Sequence, residues 1–158
     1  MLFLQLQIGE DSYVLDTERV VEVLPLVRIQ PIPGSPPGVA GLFNYRGTPV
    51  PVIDLTQLTL GHCAPRRLST RLIVLRYNLY RLALMAEQAT GTIQRDAADF
   101  TAAGLTSEAT PYLGPVTRDA GRLIQWIQVD RLLPPSVSRV LFRPAEEPTW
   151  SSLESQPS

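Results

Sequence analysis

The N-terminal part of the chain alternates apolar and polar residues with a period of two. The run LFLQLQIG at residues 2–9 alternates strictly, GED interrupts it, and SYVLD at residues 12–16 resumes an extended pattern. Because this period is typical of half-buried β-strands, the two runs predict a hairpin. The stretch TRLIVLRYNLYRLALMA at residues 70–86 has two β-rich runs on either side of an asparagine turn. The pattern therefore predicts a mainly β protein.

Helices are expected to be few and short. The run DLTQLTLG predicts one short helix, which Asp54 caps at its N-terminus and Gly61 ends. Residues 95–104 are a candidate for a second helix. Residues 17–24 fit either a strand or a short helix, because their three valines favour β-structure while a threonine followed by a glutamate can cap a helical turn.

Prolines mark the places where regular structure is interrupted. Four prolines in QPIPGSPPG, at residues 30–38, remove backbone donors and predict a loop. In the apolar run TPVPVIDL, Pro49 and Pro51 are two residues apart, so their missing N–H groups lie on the same side of a strand. That side is predicted to be an edge of the sheet or to face a bulge.

A weak internal repeat relates the two halves of the chain. YVLDTERVVEV at residues 13–23 matches ALMAEQATGTI at 83–93, and VPVIDLTQL at 50–58 matches LIQWIQVDRLL at 123–133 as a strand running into a short capped helix. The separations, about 70 and about 74 residues, agree within the variation of loops. Short strands with many turns close best as small barrels, which also hide their edges. We therefore predict two small barrels that pack together with a seam between them.

Composition and charge limit the classes of function. The chain has 158 residues, of which 44% are hydrophobic and 18% charged, and its net charge is -1. This balance is typical of a soluble globular protein, and without a basic stripe it argues against a nucleic-acid partner. One cysteine and one histidine are too few for a disulfide or for a usual metal site, so no cofactor is expected.

The start of the chain bears on the localisation of the protein, and its end bears on where the folded domain stops. The start MLFLQLQIGED lacks a basic region and a cleavage site, and no apolar run approaches membrane-spanning length. We therefore expect a cytoplasmic protein without direct membrane insertion. From Pro144 onward the sequence has little apolar surface to bury, which predicts a disordered tail at residues 144–158 after a domain at 1–143.

Arg46 stands at a predicted turn between an apolar strand and Gly47. The guanidinium group presents a planar fork of donors that suits a carboxylate. Glu22 is the best candidate partner, because Val21 and Val23 beside it have the pattern of core residues. The alternative is an arginine that only solvates a hairpin turn.

The stretch GVAGLFNYRGTPVPVIDL, with YVLDTERVVEVL and IQPIPGSP before it and LALMAEQATGTI and LIQWIQVDRLL after it, resembles the CheW-like family of chemotaxis coupling proteins. The resemblance extends to about Arg139 and implies two SH3-like five-stranded β-barrels with short helices, in agreement with the repeat. It also implies a non-enzymatic adaptor that couples a CheA-type histidine kinase to the cytoplasmic tip of a chemoreceptor. Other CheW-like domains are further candidate partners.

The resemblance can be carried to single residues. Glu22 and Arg46 match the acidic and arginine pair of the family, and Val20 and Gly41 match positions near its receptor groove. Tyr45 departs from the pattern, which usually has leucine before the arginine. The implied partner-binding set consists of Val20, Glu22, Gly41, Asn44, Arg46, Gly47, Pro51 and Asp54.

Other function classes fit the sequence less well. His62 and Cys63 are adjacent in a loop-like stretch, where their side chains point apart and do not form a nucleophile and base. Asp54 with Glu22 could be a carboxylate pair, yet Asp54 is better explained as a helix cap. GTPVP lacks the lysine and helix of a phosphate-binding loop. The remaining alternatives are a small-barrel module that binds a peptide or ligand, and a CheW-like scaffold of a surface-sensing or twitching-motility pathway.

Overall fold

The computed structural model describes residues 1–103 and 109–142. Within these ranges the chain is mainly β, as predicted, and its helices are short. The strands are β1 Leu2–Ile8, β2 Asp11–Asp16, β3 Val20–Pro25, β4 Val39–Tyr45, β5 Thr48–Asp54, β6 Thr70–Tyr77, β7 Tyr80–Gln94, β8 Leu113–Asp119 and β9 Arg122–Ile127. The helices are α1 Leu55–Leu60, α2 Pro135–Leu141 and 3-10 helices at Thr17–Arg19, Ala97–Asp99 and Val129–Arg131.

The strands form two five-stranded lobes that share β7. Lobe A contains β3, β6, the first part of β7, β5 and β4, and lobe B contains the second part of β7, β1, β2, β9 and β8. The first part of β7 pairs with β6 and β5, whereas Glu87–Gln94 pairs with β1. The change of partner falls at Glu87 and Gln88, and Gln88 has a φ of 52°. The N-terminal strand therefore completes lobe B.

The pairing confirms the internal repeat. In lobe A, β5 runs parallel to β7 with Val52 opposite Ala83. In lobe B, β9 runs parallel to β2 with Gln125 opposite Tyr13. Each lobe thus takes strands from both copies of the repeat, because β3, β4 and β5 of the first copy pack with β6 and β7 of the second copy.

Isolated bridges join the two ends of each lobe in the same way. In lobe A, Gln30 follows β3 and pairs with Leu42 of β4. In lobe B, Thr101 follows β7 and pairs with Val116 of β8. These equivalent bridges give both lobes the closure expected of a small barrel.

The largest apolar core cluster lies between the lobes. Leu6 and Leu15 of lobe B join Ile73 and Leu84 of lobe A in this cluster, and each is at most 1% exposed. Side chains alternate between the two faces of a strand, and one face of each of these strands points into the seam. The predicted seam is therefore a continuous core.

The local helix predictions have mixed outcomes. Asp54 caps α1 and Gly61 ends it with a φ of 83°, as predicted. Residues 17–24 divide into a 3-10 helix and β3, and the helix expected within 95–104 is only a 3-10 turn. The second copy of the strand-to-helix unit ends in a 3-10 helix without a side-chain cap, so that part of the repeat prediction is wrong. The predicted tail at 144–158 lies outside the described residues.

Candidate partner-binding site

Arg46 lies in the two-residue turn between β4 and β5. Arg46 and Gly47 both have positive φ angles, 50° and 87°, and Tyr45 pairs with Thr48 across the turn. Two positive φ values match the twist of a tight hairpin, and glycine adopts this conformation without steric cost. The Asn44 side-chain oxygen accepts a hydrogen bond from the Gly47 backbone N–H at 2.8 Å. The turn therefore holds the Arg46 side chain away from the sheet, and that side chain is 74% exposed.

Glu22 is the acidic partner of Arg46. Its Oε2 atom accepts a hydrogen bond from Nη2 of Arg46 at 3.0 Å and another from the Tyr45 hydroxyl at 2.7 Å. The Arg46 guanidinium carbon also lies 5.3 Å from the centre of the Tyr45 ring. The predicted pair is confirmed, but it uses one arginine nitrogen instead of a two-pronged fork.

The carboxylate also affects the ionisation of Tyr45. The pKa of Tyr45 is raised above its ordinary value, mainly because the Tyr45 hydroxyl donates a hydrogen bond to Glu22. Arg46 acts on this pKa in the opposite direction. The neutral hydroxyl is therefore favoured as the donor to Glu22. Sequence analysis noted Tyr45 only as a departure from the family pattern and missed this contact.

Three residues of the predicted partner-binding set lie inside the fold. Gly41, Pro51 and Asp54 are buried, and Asp54 is only 2% exposed. The carboxylate of Asp54 accepts hydrogen bonds from the backbone N–H groups of Thr56, Gln57 and Ala64. The structure thus gives the Asp54 carboxylate three acceptor contacts inside the fold, and its part in partner binding stays a prediction.

Gly41 is required by a close backbone approach. Its φ is 147°, and a Cβ atom there would lie 2.1 Å from the carbonyl oxygen of Gln30. The residue thus permits the bridge between Gln30 and Leu42 that closes lobe A.

Pro51 lies before the point where β5 begins to pair with β7, because that pairing starts at Val52. This position agrees with the sheet edge that the two prolines of β5 predict. Gly41 and Pro51 both shape the β4–β5 hairpin.

The other predicted residues reach the surface. Asn44, Arg46 and Gly47 are exposed, while Val20 and Glu22 are half-buried. Val20 and Glu22 belong to β3, and the register of β3 against β6 shifts between them. The structure thus brings Glu22 to the β4–β5 turn, and Val20 lies at the start of the same strand.

An apolar groove opens beside this turn. It has a volume of about 680 Å³ and carries Arg46 and Arg81 among its lining residues. Leu79 is the most exposed of its apolar residues, at 93%. We call it the hairpin groove, and its apolar lining includes Leu42, Tyr45, Leu79, Tyr80, Leu141 and Phe142.

Other kinds of site receive no support from the described part of the chain. His62 and Cys63 are both exposed, and the His62 ring contacts only the Cys63 backbone oxygen at 3.3 Å among its described partners. Residues 1–103 and 109–142 contain no group of three histidine, cysteine or acidic side chains that could hold a metal ion. In the same ranges, every helix is too short or too polar to cross a membrane.

Comparison with known proteins identifies the family. A model described as the CheW-like domain matches residues 2–136. This chain belongs to the CheW-like family. A chemotaxis protein CheW of Treponema pallidum is 39% identical over 49 residues, which cover 31% of this chain and 29% of that protein. A chemotaxis protein CheW of Thermotoga maritima is 22% identical over 130 residues, which cover 82% of this chain and 85% of that protein.

A solved structure supports the CheW-like fold. The scaffolding protein TtCheW from Thermoanaerobacter tengcongensis superposes with a TM-score of 0.77 at 22% identity, over 86% of this chain and 89% of that one. Lobes A and B are accordingly SH3-like β-barrels, as expected. CheW-like proteins are non-enzymatic scaffolds of chemotaxis, which confirms that this chain is an adaptor and not an enzyme.

Proposed function

We propose that this CheW-like protein couples the cytoplasmic tip of a chemoreceptor to a CheA-type histidine kinase, in a cytoplasmic signalling array. The observation that carries the proposal is the exposed Arg46, which Glu22 and Tyr45 orient at a tight turn. An arginine held by neighbouring side chains loses little conformational freedom when a partner binds. Its remaining N–H groups are then available to accepting groups of that partner.

The proposed contact surface consists of Val20, Glu22, Asn44, Arg46 and Gly47. Gly41, Pro51 and Asp54 support it from within the fold by fixing the β4–β5 hairpin and the start of α1. The surface combines a charged rim with the apolar lining of the hairpin groove. Apolar area surrounded by polar groups is typical of protein–protein interfaces.

Binding measurements with purified partners test the proposal. Titration of the full chain with the regulatory domain of the kinase, and separately with a receptor-tip fragment, is expected to give saturable binding. Arg46→Ala is expected to weaken binding to at least one partner about tenfold, which corresponds to about 1.4 kcal/mol. Arg122→Ala is the matched control, because Arg122 is also exposed and directly follows the equivalent β8–β9 turn of lobe B.

Two results would contradict the proposal. One is the absence of binding to either partner at concentrations of tens of micromolar. The other is an equal loss of affinity in Arg46→Ala and Arg122→Ala, because the turn of lobe A would then have no special part in binding. A kinase and receptor from a surface-sensing or twitching-motility pathway can be tested in the same way, so the assay also separates these pathways.

A ligand-binding module remains the alternative function. Such a module requires polar side chains that converge on a closed cavity. In residues 1–103 and 109–142, no buried side-chain nitrogen or oxygen lacks a hydrogen-bond partner. The exposed apolar lining of the hairpin groove therefore favours an adaptor over a receptor for a small polar ligand.

A further inference from the structure

The charged residues of the hairpin groove are all arginines. Within the described ranges, Arg46 and Arg81 line the groove among apolar and uncharged polar side chains, and no acidic residue joins them. Arg46 is paired with Glu22 at the edge of the groove. Arg81 is exposed and takes part in none of the ion pairs of the described ranges. The groove therefore presents positive charge beside an apolar lining.

The residue opposite Arg81 adds to this positive charge. Arg81 of β7 pairs in register with Arg76 of β6, which is also exposed. Directly opposite residues of an antiparallel pair lie on the same face, and like charges in these positions repel. Arg76 donates a hydrogen bond to the backbone oxygen of Glu18, an uncharged group that leaves the repulsion in place. The cleft that contains Arg76 has two acidic residues, Glu18 and Asp130, but neither of them lines the hairpin groove.

The β8–β9 hairpin of lobe B has the opposite arrangement. There Arg122, which is exposed, pairs in register with Asp119. Opposite charges across two antiparallel strands attract, so this arginine supports its hairpin. The pair of Arg76 and Arg81 instead lowers the stability of the hairpin that carries it. Residues that cost stability where they stand are typical of functional surfaces.

The apolar lining limits the kind of anion that suits the groove. Leu79 is 93% exposed at the tip of the β6–β7 turn, and Tyr80 beside it is 38% exposed. The Tyr80 ring stacks on that of Phe142, with centroids 4.7 Å apart. A small anion would leave this apolar surface in contact with water. A protein segment with a large apolar side chain would cover it.

We propose that the hairpin groove receives an acidic segment of a partner protein. Carboxylates of this segment bind Arg46 and Arg81, and an apolar side chain between them packs on Leu79 and Tyr80. The arginine fork suits a carboxylate, and a carboxylate beside Arg81 also offsets its repulsion from Arg76. This inference rests on the proposed function, because it names the chemistry of the partner at the same surface.

The stability of the unbound chain tests the charge imbalance. At low ionic strength, Arg81→Gln is expected to raise the midpoint of urea denaturation, and Arg81→Glu to raise it further, because both remove the repulsion from Arg76. The gain should shrink at about 0.5 M salt, where exposed charges are screened. Arg122→Gln is the matched control and should lower the midpoint, since it removes the attraction to Asp119. A difference between Arg81→Gln and the unmodified chain that does not change with salt would overturn the inference.

Association kinetics test the acidic segment itself. The kinase regulatory domain and the receptor-tip fragment are each mixed with the full chain at low salt. For the partner that occupies the groove, we expect Arg81→Gln to lower the association rate about threefold and Arg81→Glu about tenfold, and both to weaken its salt dependence. Arg122→Gln should leave the rate unchanged. Arg81→Glu would thus gain stability and lose association, a combination that a purely structural role does not produce.

The outcomes separate this inference from the proposed function. If either partner binds and neither rate responds to the Arg81 substitutions, the inference is wrong and the proposed function stands. Equal effects of Arg81→Gln and Arg122→Gln would indicate attraction by overall charge and would also overturn the inference.

If neither partner binds the unmodified chain, the proposed function fails. The groove is then tested with poly-L-glutamate, which should shift the nuclear magnetic resonance signals of Leu79 and Arg81, whereas poly-L-lysine should not. The absence of a shift with poly-L-glutamate would overturn the inference as well. Groove signals that shift when the chain alone is concentrated would identify a second copy as the occupant and contradict the acidic partner.

Discussion

Arg46 and Glu22 meet through a single contact of 3.0 Å, and the same glutamate oxygen also accepts the Tyr45 hydroxyl. The Arg46 side chain is 74% exposed and that of Glu22 is 33% exposed. Water therefore screens the pair, and the pair contributes little to folding. The pair instead fixes the direction in which the Arg46 side chain points.

A double-mutant cycle on Glu22→Ala and Arg46→Ala separates these contributions. We expect a coupling free energy below about 1 kcal/mol in the free energy of unfolding, because the pair is exposed. In partner binding we expect a coupling of about 1 kcal/mol, most of the effect of Arg46→Ala, because a complex would remove the same pair from water. Chemical denaturation and calorimetry give the two values. Coupling near zero in binding would mean that Glu22 does not orient Arg46 toward the partner.

Asp54→Ala is expected to reduce stability without changing the contact surface directly. The substitution removes the cap of α1 and leaves the N–H groups of Thr56, Gln57 and Ala64 without their acceptor. Loss of a helix cap and of buried hydrogen bonds costs about 2 kcal/mol. Asp54→Ser retains one acceptor and should lose less. A partner affinity that falls while the folded fraction stays constant would contradict this structural role.

Gly41→Ala is expected to destabilise the fold strongly. The new Cβ would lie 2.1 Å from the Gln30 carbonyl oxygen, and the φ of 147° is unfavourable for alanine. We expect a loss of about 3 kcal/mol in the free energy of unfolding, measured by urea denaturation. Gly91→Ala is the control, since its Cβ meets only the end of the Gln5 side chain at 3.2 Å. Similar losses in both variants would contradict the close approach at Gly41.

Stability is expected to fall at alkaline pH because of the tyrosines. Burial is the main cause that raises the pKa values of Tyr13, Tyr77 and Tyr112 above their ordinary value of 10.0. Above that pH the unfolded chain releases these protons first, so the unfolded state binds fewer protons and the free energy of unfolding decreases. The chain has no lysine, so lysine titration does not obscure this range.

Urea denaturation from about pH 8 to about pH 11 checks this expectation. Stability contributed by these tyrosines should be complete well below their ordinary pKa and decline as the pH rises through and beyond it. Tyr13→Phe should make the decline shallower, because it removes one of the raised groups. A free energy of unfolding that stays constant across the range would contradict the expected linkage.

The sequence allowed the local parts of the fold to be predicted. The hairpin of β1 and β2 and that of β6 and β7 were predictable because one face of each strand is buried, which imposes alternation. Asp54 and Gly61 were recognised as the ends of α1 because helix ends select residue types by their backbone geometry. The partnership of Arg46 with Glu22 was also correctly predicted from the character of their neighbours.

Other features depend on long-range pairing and leave no local signal. The sequence indicated a β-rich run up to residue 86, whereas β7 continues to Gln94 and changes partners at Gln88. Glycine often marks such a change, but a glutamine with a positive φ gives no comparable sign. The hydrogen bond from Tyr45 to Glu22 was missed for the same reason, since it depends on how β3 and β4 come together.

The exchange of strands between the two ends of the chain determines when each barrel can form during synthesis. Because β2 pairs with β9, the N-terminal hairpin has no full set of neighbours until almost the whole described chain has been synthesised. Such pairing gives the topology a high contact order, which slows folding. A cut in the loop between α1 and β6 would leave two fragments that each lack strands of both lobes. We therefore expect neither fragment to fold alone, and their complementation to restore the barrels.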